Sequence, residues 1–203
     1  EESVHRTSPV LADTDSDTLT DYQEIYGYFA ANGTTYTSVP SDSDSDNDTL
    51  LDGAEVKATA QYVSNPNIAD TDGDVLSDAQ EVNGVTVTTQ VGARTFRSYP
   101  RSADSDGDFL TDAQEVMGYT AANSTKYYSD PLLTDSDGDN LSDYYEARGT
   151  SGYITDNLKA DTDGDGLIDG DEVNIALTNP LLVDTDGDAV NDGTDAYPRN
   201  VPT

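Results

Sequence analysis

The sequence predicts an elongated, solenoid-like repeat array built mostly of irregular loops, with short helical turns, short β-hairpins and little hydrophobic core. Three observations predict it. One twelve-residue acidic pattern recurs seven times, a longer unit of 91 residues is duplicated, and Leu, Ile, Val and Phe together supply only 37 of the 203 residues.

Composition alone points elsewhere. A low aliphatic content joined to a net charge of −32, from 9 Lys and Arg against 41 Asp and Glu, is the signature of a disordered acidic coil. There is no Cys, so disulfides cannot supplement a thin core, and zinc-thiolate and Cys-nucleophile chemistry are excluded. No apolar run approaches the roughly 18 residues of a membrane span. The sequence starts at Glu1 without an initiator Met or signal-type apolar stretch, as a processed mature protein or an excised segment does. An acidic surface of this strength argues against nucleic acid and anionic membranes as direct partners. It argues for cations.

The position of the acids decides against the coil. The seven stretches are "DTDSDTLTDYQE" from Asp13, "DSDNDTLLDGAE" from Asp44, "DTDGDVLSDAQE" from Asp70, "DSDGDFLTDAQE" from Asp104, "DSDGDNLSDYYE" from Asp135, "DTDGDGLIDGDE" from Asp161 and "DTDGDAVNDGTD" from Asp184. Each has carboxylates at places 1, 3, 5, 9 and 12, which accounts for all acidic residues except Glu1, Glu2, Asp42, Asp130, Asp156 and Asp171. A solvated acidic face would not hold that register. Ca²⁺ takes six to eight oxygen ligands. A tight loop supplies them from carboxylates at places 1, 3 and 5, a backbone carbonyl at 7, a direct or water-mediated ligand at 9 and a bidentate acid at 12.

The expected ligands therefore follow the register. They are Asp13, Asp15, Asp17, Leu19, Asp21 and Glu24 in loop 1, and Asp44, Asp46, Asp48, Leu50, Asp52 and Glu55 in loop 2. Loop 3 offers Asp70, Asp72, Asp74, Leu76, Asp78 and Glu81, and loop 4 offers Asp104, Asp106, Asp108, Leu110, Asp112 and Glu115. Loop 5 offers Asp135, Asp137, Asp139, Leu141, Asp143 and Glu146, and loop 6 offers Asp161, Asp163, Asp165, Leu167, Asp169 and Glu172. Loop 7 closes the series with Asp184, Asp186, Asp188, Val190, Asp192 and Asp195. The apolar residue at place 7 is expected to face the metal with its carbonyl while its side chain enters a small core. About seven or more calcium ions per chain follow. Mg²⁺ fits less well because it prefers octahedral geometry with retained waters, and softer metals want His or Cys.

The helix-loop-helix calcium motif wants Gly at place 6, but here that place holds Gly only at Gly166. Gly stands instead at place 4 in five loops: Gly73, Gly107, Gly138, Gly164 and Gly187. The block "DTDGD…D..E", closely preceded by Pro as in "TNPLLVDTDGD" and "SNPNIADTDGD", resembles the thrombospondin type 3 repeat in its cysteine-free microbial form. The resemblance covers nearly the whole chain. It implies calcium wrapped by the carboxylates named above and a stiff, mostly irregular rod outside the cell or on its surface. The spacings of 23 to 34 residues between loop starts depart from a single fixed period. The nine-residue glycine-rich pattern of calcium β-rolls is absent.

Each of the first three loops returns 91 residues later, and the connector "GYFAANGTTYTSVP" at 27–40 answers "GYTAANSTKYYSDP" at 118–131. The organisation read from this is a leading segment 1–12 and a three-loop unit 13–103. A duplicate 104–194 follows, taking in the start of loop 7, and then a terminal segment 195–203. In such an array each unit packs mainly on its neighbours. Pro9, Pro40, Pro66, Pro100, Pro131 and Pro180 stand four residues before a loop, a fixed offset that favours a shared lead-in over ordinary turn punctuation. After place 9 the sequence reads as a helical turn with the place 9 Asp suited to cap it. Asn32-Gly33 predicts a two-residue hairpin turn, and Val85 to Thr89 with Arg94 to Ser98 forms a second candidate pair. Tyr62 and Tyr153, equivalent across the duplication, are expected to widen the core.

Other candidate sites are weaker. His5 is the only His and reads as an exposed side chain. No G-x-S-x-G or phosphate-loop motif occurs, and nearly every carboxylate is assigned to metal, so the chain is read as no enzyme. Of the sequons at Asn32, Asn47, Asn123 and Asn140, Asn32 and Asn123 occupy equivalent hairpin tips and are the candidate glycan sites. Arg94, Arg97 and Arg101 either offset adjacent acidic loops or dock an acidic neighbour.

The function expected is a calcium-hardened rod whose copies join end to end into a surface filament. The alternatives are a stalk within a larger adhesin, or a calcium-dependent protein-binding or mineral-collecting module. The end-to-end expectation rests on "YPRS" at 99–102, which introduces loop 4, and "YPRN" at 197–200, which introduces no loop. Head-to-tail contacts of that kind generate open filaments.

Overall fold

Residues 6–121, 124–149 and 151–200 are described in a computed structural model. Each of loops 1 to 6 runs from an irregular acidic turn into a short helical segment, and loop 7 runs into a turn. The helical segments are α1 (Asp21–Tyr26), α2 (Asp52–Val56), α3 (Asp78–Asn83), α4 (Asp112–Met117), α5 (Asp143–Arg148) and α6 (Asp169–Asp171), the last continuing as a π-helical turn over Glu172–Ala176. The cap is place 8, not the expected place 9. Thr20, Ser77 and Thr111 accept the N–H of Gln23, Gln80 and Gln114, and each of these Gln side chains returns a bond to its cap, forming capping boxes. The place 9 carboxylate cannot cap because it is already engaged. In loop 1, Asp21 accepts the N–H of Thr14 at 2.9 Å and its hydroxyl at 3.0 Å. The same pair of bonds recurs in every loop, through to Thr185 and Asp192 in loop 7.

Three antiparallel hairpins fill the longer connectors: β1 (Tyr28–Phe29) with β2 (Thr35–Tyr36), β3 (Val85–Thr89) with β4 (Gly92–Phe96), and β5 (Tyr119–Thr120) with β6 (Lys126–Tyr127). The first turn is not the expected two-residue Asn32-Gly33 turn. Ala30 accepts from Gly33 N–H at 3.0 Å and donates to Thr34 at 2.9 Å, so the loop is Ala31-Asn32-Gly33 with Gly33 at φ 83°, a three-residue hairpin with glycine in the left-handed position. Strand β4 begins two residues earlier than expected because the chain reverses at Gln90-Val91 and Gly92 takes φ 117°.

The chain divides into two compact units, Glu1–Val85 with Phe96–Ala103 and Thr86–Thr95 with Asp104–Thr203. In the first, Leu19, Ala30, Val56 and Val63 form a small buried cluster with Tyr28 and Tyr36 against it. Place 7 side chains are buried from Leu19 to Leu141; Leu167 is half-buried and Val190 is exposed. Tyr62 is half-buried with its ring edge-on to Tyr99 at 5.3 Å, and Tyr153 is half-buried. Arg97 and Arg101 donate to the carbonyls of Asn83 and Ala60. No helix among the described residues is long and apolar enough to cross a membrane.

Loops dock on one another by backbone contact. A Cβ added at Gly170 in α6 would lie 2.0 Å from the Asp139 carbonyl oxygen of the preceding loop. Gly170→Ala, favourable in an unconstrained helix by roughly 0.5–1 kcal/mol, is therefore expected to destabilise the calcium-loaded protein by about 1–3 kcal/mol through overpacking. Thermal unfolding followed by circular dichroism checks this, and an unchanged or raised midpoint refutes the tight seating.

Candidate metal centres

Each acidic loop is organised by hydrogen bonds from its own backbone. In loop 6, Asp161 accepts the N–H groups of Gly164 and Gly166 at 2.7 and 3.1 Å, Asp163 accepts that of Asp165 at 3.1 Å, and Asp165 accepts that of Leu167 at 2.8 Å. This pattern folds the turn back on itself and forces left-handed backbone at places 4 and 6. Place 4 has positive φ in all seven loops, at Ser16, Asn47, Gly73, Gly107, Gly138, Gly164 and Gly187. So does place 6, although only Gly166 is glycine there; Val75 sits at 97° and Phe109 at 85°. A β-branched residue in that region is strained. At place 6 the departure from the helix-loop-helix motif is thus one of side chain, since the backbone there takes the glycine-like conformation.

The bonds leave other oxygens bare. The second oxygen of place 3, from Asp15 to Asp186, and of place 12, from Glu24 to Asp195, is buried without a hydrogen-bond partner in all seven loops. None of the place 7 carbonyls accepts a hydrogen bond among the described residues. Oxygens of Asp13, Asp15 and Asp17 lie within 4.8 Å of one another, as do those at places 1, 3 and 5 of loops 2, 3 and 4. These oxygen-only donor sets, closely spaced and shielded from water, fit a hard divalent cation. Places 1, 3, 5, 7 and 12 would hold it.

Place 9 lies between its own loop and the loop before. The sequence reading puts all five carboxylates of a loop around one ion. The structure also brings Asp52 of loop 2 within 4.8 Å of Asp17 and Glu24 of loop 1. Its own loop's Ser45 holds it there, donating its N–H at 2.8 Å and its hydroxyl at 2.6 Å. The approach repeats, with Glu55 repelled by Asp78, Glu115 by Asp143 and Asp163 by Asp192, while Glu81, Glu146 and Glu172 are repelled by the place 9 acid of their own loop. Two further groups escaped the sequence reading. One is the Ser or Thr at place 2, present in every copy and legible in hindsight. The other is a hydroxyl six residues ahead of each later loop, which donates to the preceding place 12 acid. Ser38, Ser64, Ser98, Ser129, Thr155 and Thr178 bond Glu24, Glu55, Glu81, Glu115, Glu146 and Glu172 at 2.8–3.0 Å.

Burial, and then repulsion from neighbouring carboxylates, raises the place 12 acids far above their ordinary value of 4.5. Glu24 and Glu172 move to about 8, Glu55 and Glu81 to about 9, and Glu115 and Glu146 to about 10. Of the remaining candidates, Asn32 has both side-chain ends engaged, its amide donating to the Tyr36 hydroxyl and its oxygen accepting Thr34 N–H. His5 and Asn123 lie outside the described residues.

Against known proteins, residues 12–94 and 83–134 match the family described as the clostridial binary toxin B/anthrax toxin PA Ca-binding domain, together more than half of the chain. The chain belongs to this calcium-binding family. Residues 161–182 also match the bacterial TSP3 repeat, in keeping with the resemblance read from the loops. No curated protein matches. Among solved structures, "Biofilm associated protein - B domain" is 50% identical with a TM-score of 0.22, over 24% of this chain and 11% of its own.

Two outcomes follow for this member of the calcium-binding family. Val75 is 71% exposed, so Val75→Gly removes backbone strain at little cost in burial. It is expected to stabilise the loaded protein by about 1 kcal/mol, read as a higher unfolding midpoint in calcium. For the place 12 acids the folded, ion-free value is raised, so protonation stabilises that form fully below about 4.5 and the contribution is lost as pH rises towards about 8 to 10. Calcium must displace those protons. Titration calorimetry at pH 7 in buffers of different ionisation heat should show proton release on binding, and calcium affinity should fall as pH falls.

Proposed function

We propose that this chain is a calcium-binding structural module, a solenoid-like rod on or outside the cell that joins further copies end to end in a surface filament and performs no catalysis. The observation that carries the calcium reading is the set of bare, buried oxygens at places 3 and 12, repeated in all seven loops. Polar atoms in that condition cost free energy unless a cation meets them. One ion per loop lowers the net charge from −32 to about −18, so the loaded molecule stays strongly acidic. The acids that a hydrolase would use as proton donors are here committed to ligation. Family membership supports the binding of calcium; the seven-fold repetition supports a load-bearing role in which each ion fixes one joint.

At 100 times its dissociation constant, an ion that binds only the folded state adds about 2.7 kcal/mol per independent site. Seven such sites together exceed the roughly 5–15 kcal/mol stability of an ordinary domain. Chelation with EGTA at neutral pH is expected to collapse the circular dichroism signal towards coil and to expose the chain to protease. A cooperative fold that persists in excess chelator refutes the reading. Electron microscopy in calcium tests the filament: long uniform fibres support it, whereas isolated particles favour a stalk.

A further inference from the structure

Five loop-to-loop joints inside the two units share one construction. The place 5 carboxylate of one loop accepts the place 10 N–H of the next: Asp17 from Gly53, Asp48 from Ala79, Asp108 from Tyr144, Asp139 from Gly170 and Asp165 from Gly193, at 2.6–2.9 Å. The incoming loop also brings its place 9 carboxylate and the hydroxyl six residues ahead of it. In loops 2 to 6 the place 9 acid is 0% exposed, and the lead-in prolines from Pro40 to Pro180 are buried.

Loop 1 carries the same incoming parts uncovered. Asp21 and Thr7 are only half-buried, Pro9 is exposed, and the N–H of Tyr22 has no acceptor among the described residues. All four line or border one groove of about 760 Å³. Loop 7 carries the outgoing parts unmet. Among the described residues the second oxygens of Asp186 and Asp195 are buried without a partner, and Asp188 is bonded through one oxygen, to Val190 N–H. The chain's own continuation does not fill loop 7. Ala196 stands where the donating hydroxyl is required, and position 202, four after Pro198, is Pro and not Asp.

We propose that loop 7 of one copy and loop 1 of the next close a shared calcium site, with Asp186, Asp188 and Asp195 from the first copy and Asp21 from the second. The second copy also contributes Tyr22 N–H to Asp188 and the Thr7 hydroxyl to Asp195. The joint between loops 4 and 5 is the pattern for it. There a tyrosine again holds place 10, with its N–H 2.8 Å from Asp108 and its ring edge-on to Phe109 at place 6. Place 6 of loop 7 is Ala189, so the incoming Tyr22 meets less bulk than Tyr144 does. This joint rests on the calcium reading above and gives the end-to-end contact its chemistry.

Sedimentation velocity in CaCl2 and in EGTA tests it with the 203-residue chain, alongside equilibrium dialysis to count bound calcium. The wild type is expected to form multimers in calcium only. Tyr22→Pro removes one N–H in the first helical turn, where proline is tolerated, and Asp21→Asn removes the charge. Each is expected to weaken association by about tenfold or more, the worth of a charge-assisted hydrogen bond, with circular dichroism unchanged and loops 1 to 6 still filled. Asp188→Ala disables the opposite face, so an equimolar mixture with Tyr22→Pro should stop at dimers that neither variant forms alone. A wild-type chain that stays monomeric with filled loops, or variants that assemble as the wild type does, overturn the joint and leave the calcium reading standing. A wild-type chain that binds no calcium overturns both.

Discussion

Six glutamates, at place 12 of loops 1 to 6, are at most 1% exposed, as buried as the best-packed leucines of the chain. Each has one oxygen satisfied by a serine or threonine hydroxyl and one left bare. In an ordinary core an unpaired carboxylate would be expelled or protonated. Here the carboxyl groups are kept buried by those hydrogen bonds, and each needs either a proton or a cation at its bare oxygen to be neutral. The hydrophobic cluster of Leu19, Ala30, Val56 and Val63 is too small to hold the first unit by itself.

The same requirement explains the backbone. Folding a turn so that places 1, 3 and 5 converge means that N–H groups at places 4 and 6 point back at the place 1 carboxylate, and both places take left-handed φ. Seven loops accept this strain, six of them with a side chain at place 6. Such a conformation persists where surrounding interactions over-determine it, and an ion bound by several oxygens is that kind of interaction.

The loops were legible in the sequence because their register is local: five carboxylates in twelve residues, repeated, admit few other readings. The hairpins were legible as hairpins but not in their turn type, since Asn-Gly serves a two-residue turn and a three-residue loop alike. The cap at place 8 was missed for a physical reason, because Asp is a good cap until another group occupies it, and the place 2 hydroxyl does so. The approach of place 9 to the preceding loop was out of reach. It depends on contacts such as Gly53 with Asp17, 36 residues apart, which no spacing rule within one loop can specify.

That approach also accounts for the uneven spacing. Loop starts are 31, 26, 34, 31, 26 and 23 residues apart, and the longer intervals are those that contain a hairpin: β1 with β2, β3 with β4, and β5 with β6. The joints inside the units keep the same place 5 to place 10 hydrogen bond whether their connectors hold a hairpin, as between loops 1 and 2, or none, as between loops 6 and 7. Connector length is therefore free to vary while the ion-bearing contact is not. Inside the units place 9 stays bonded to its own loop's place 2 while the next N–H along the chain reaches the place 5 carboxylate of the loop before, so neighbouring loops are tied through their acidic turns. Stability in such an array resides in the joints between repeats as much as in the repeats themselves.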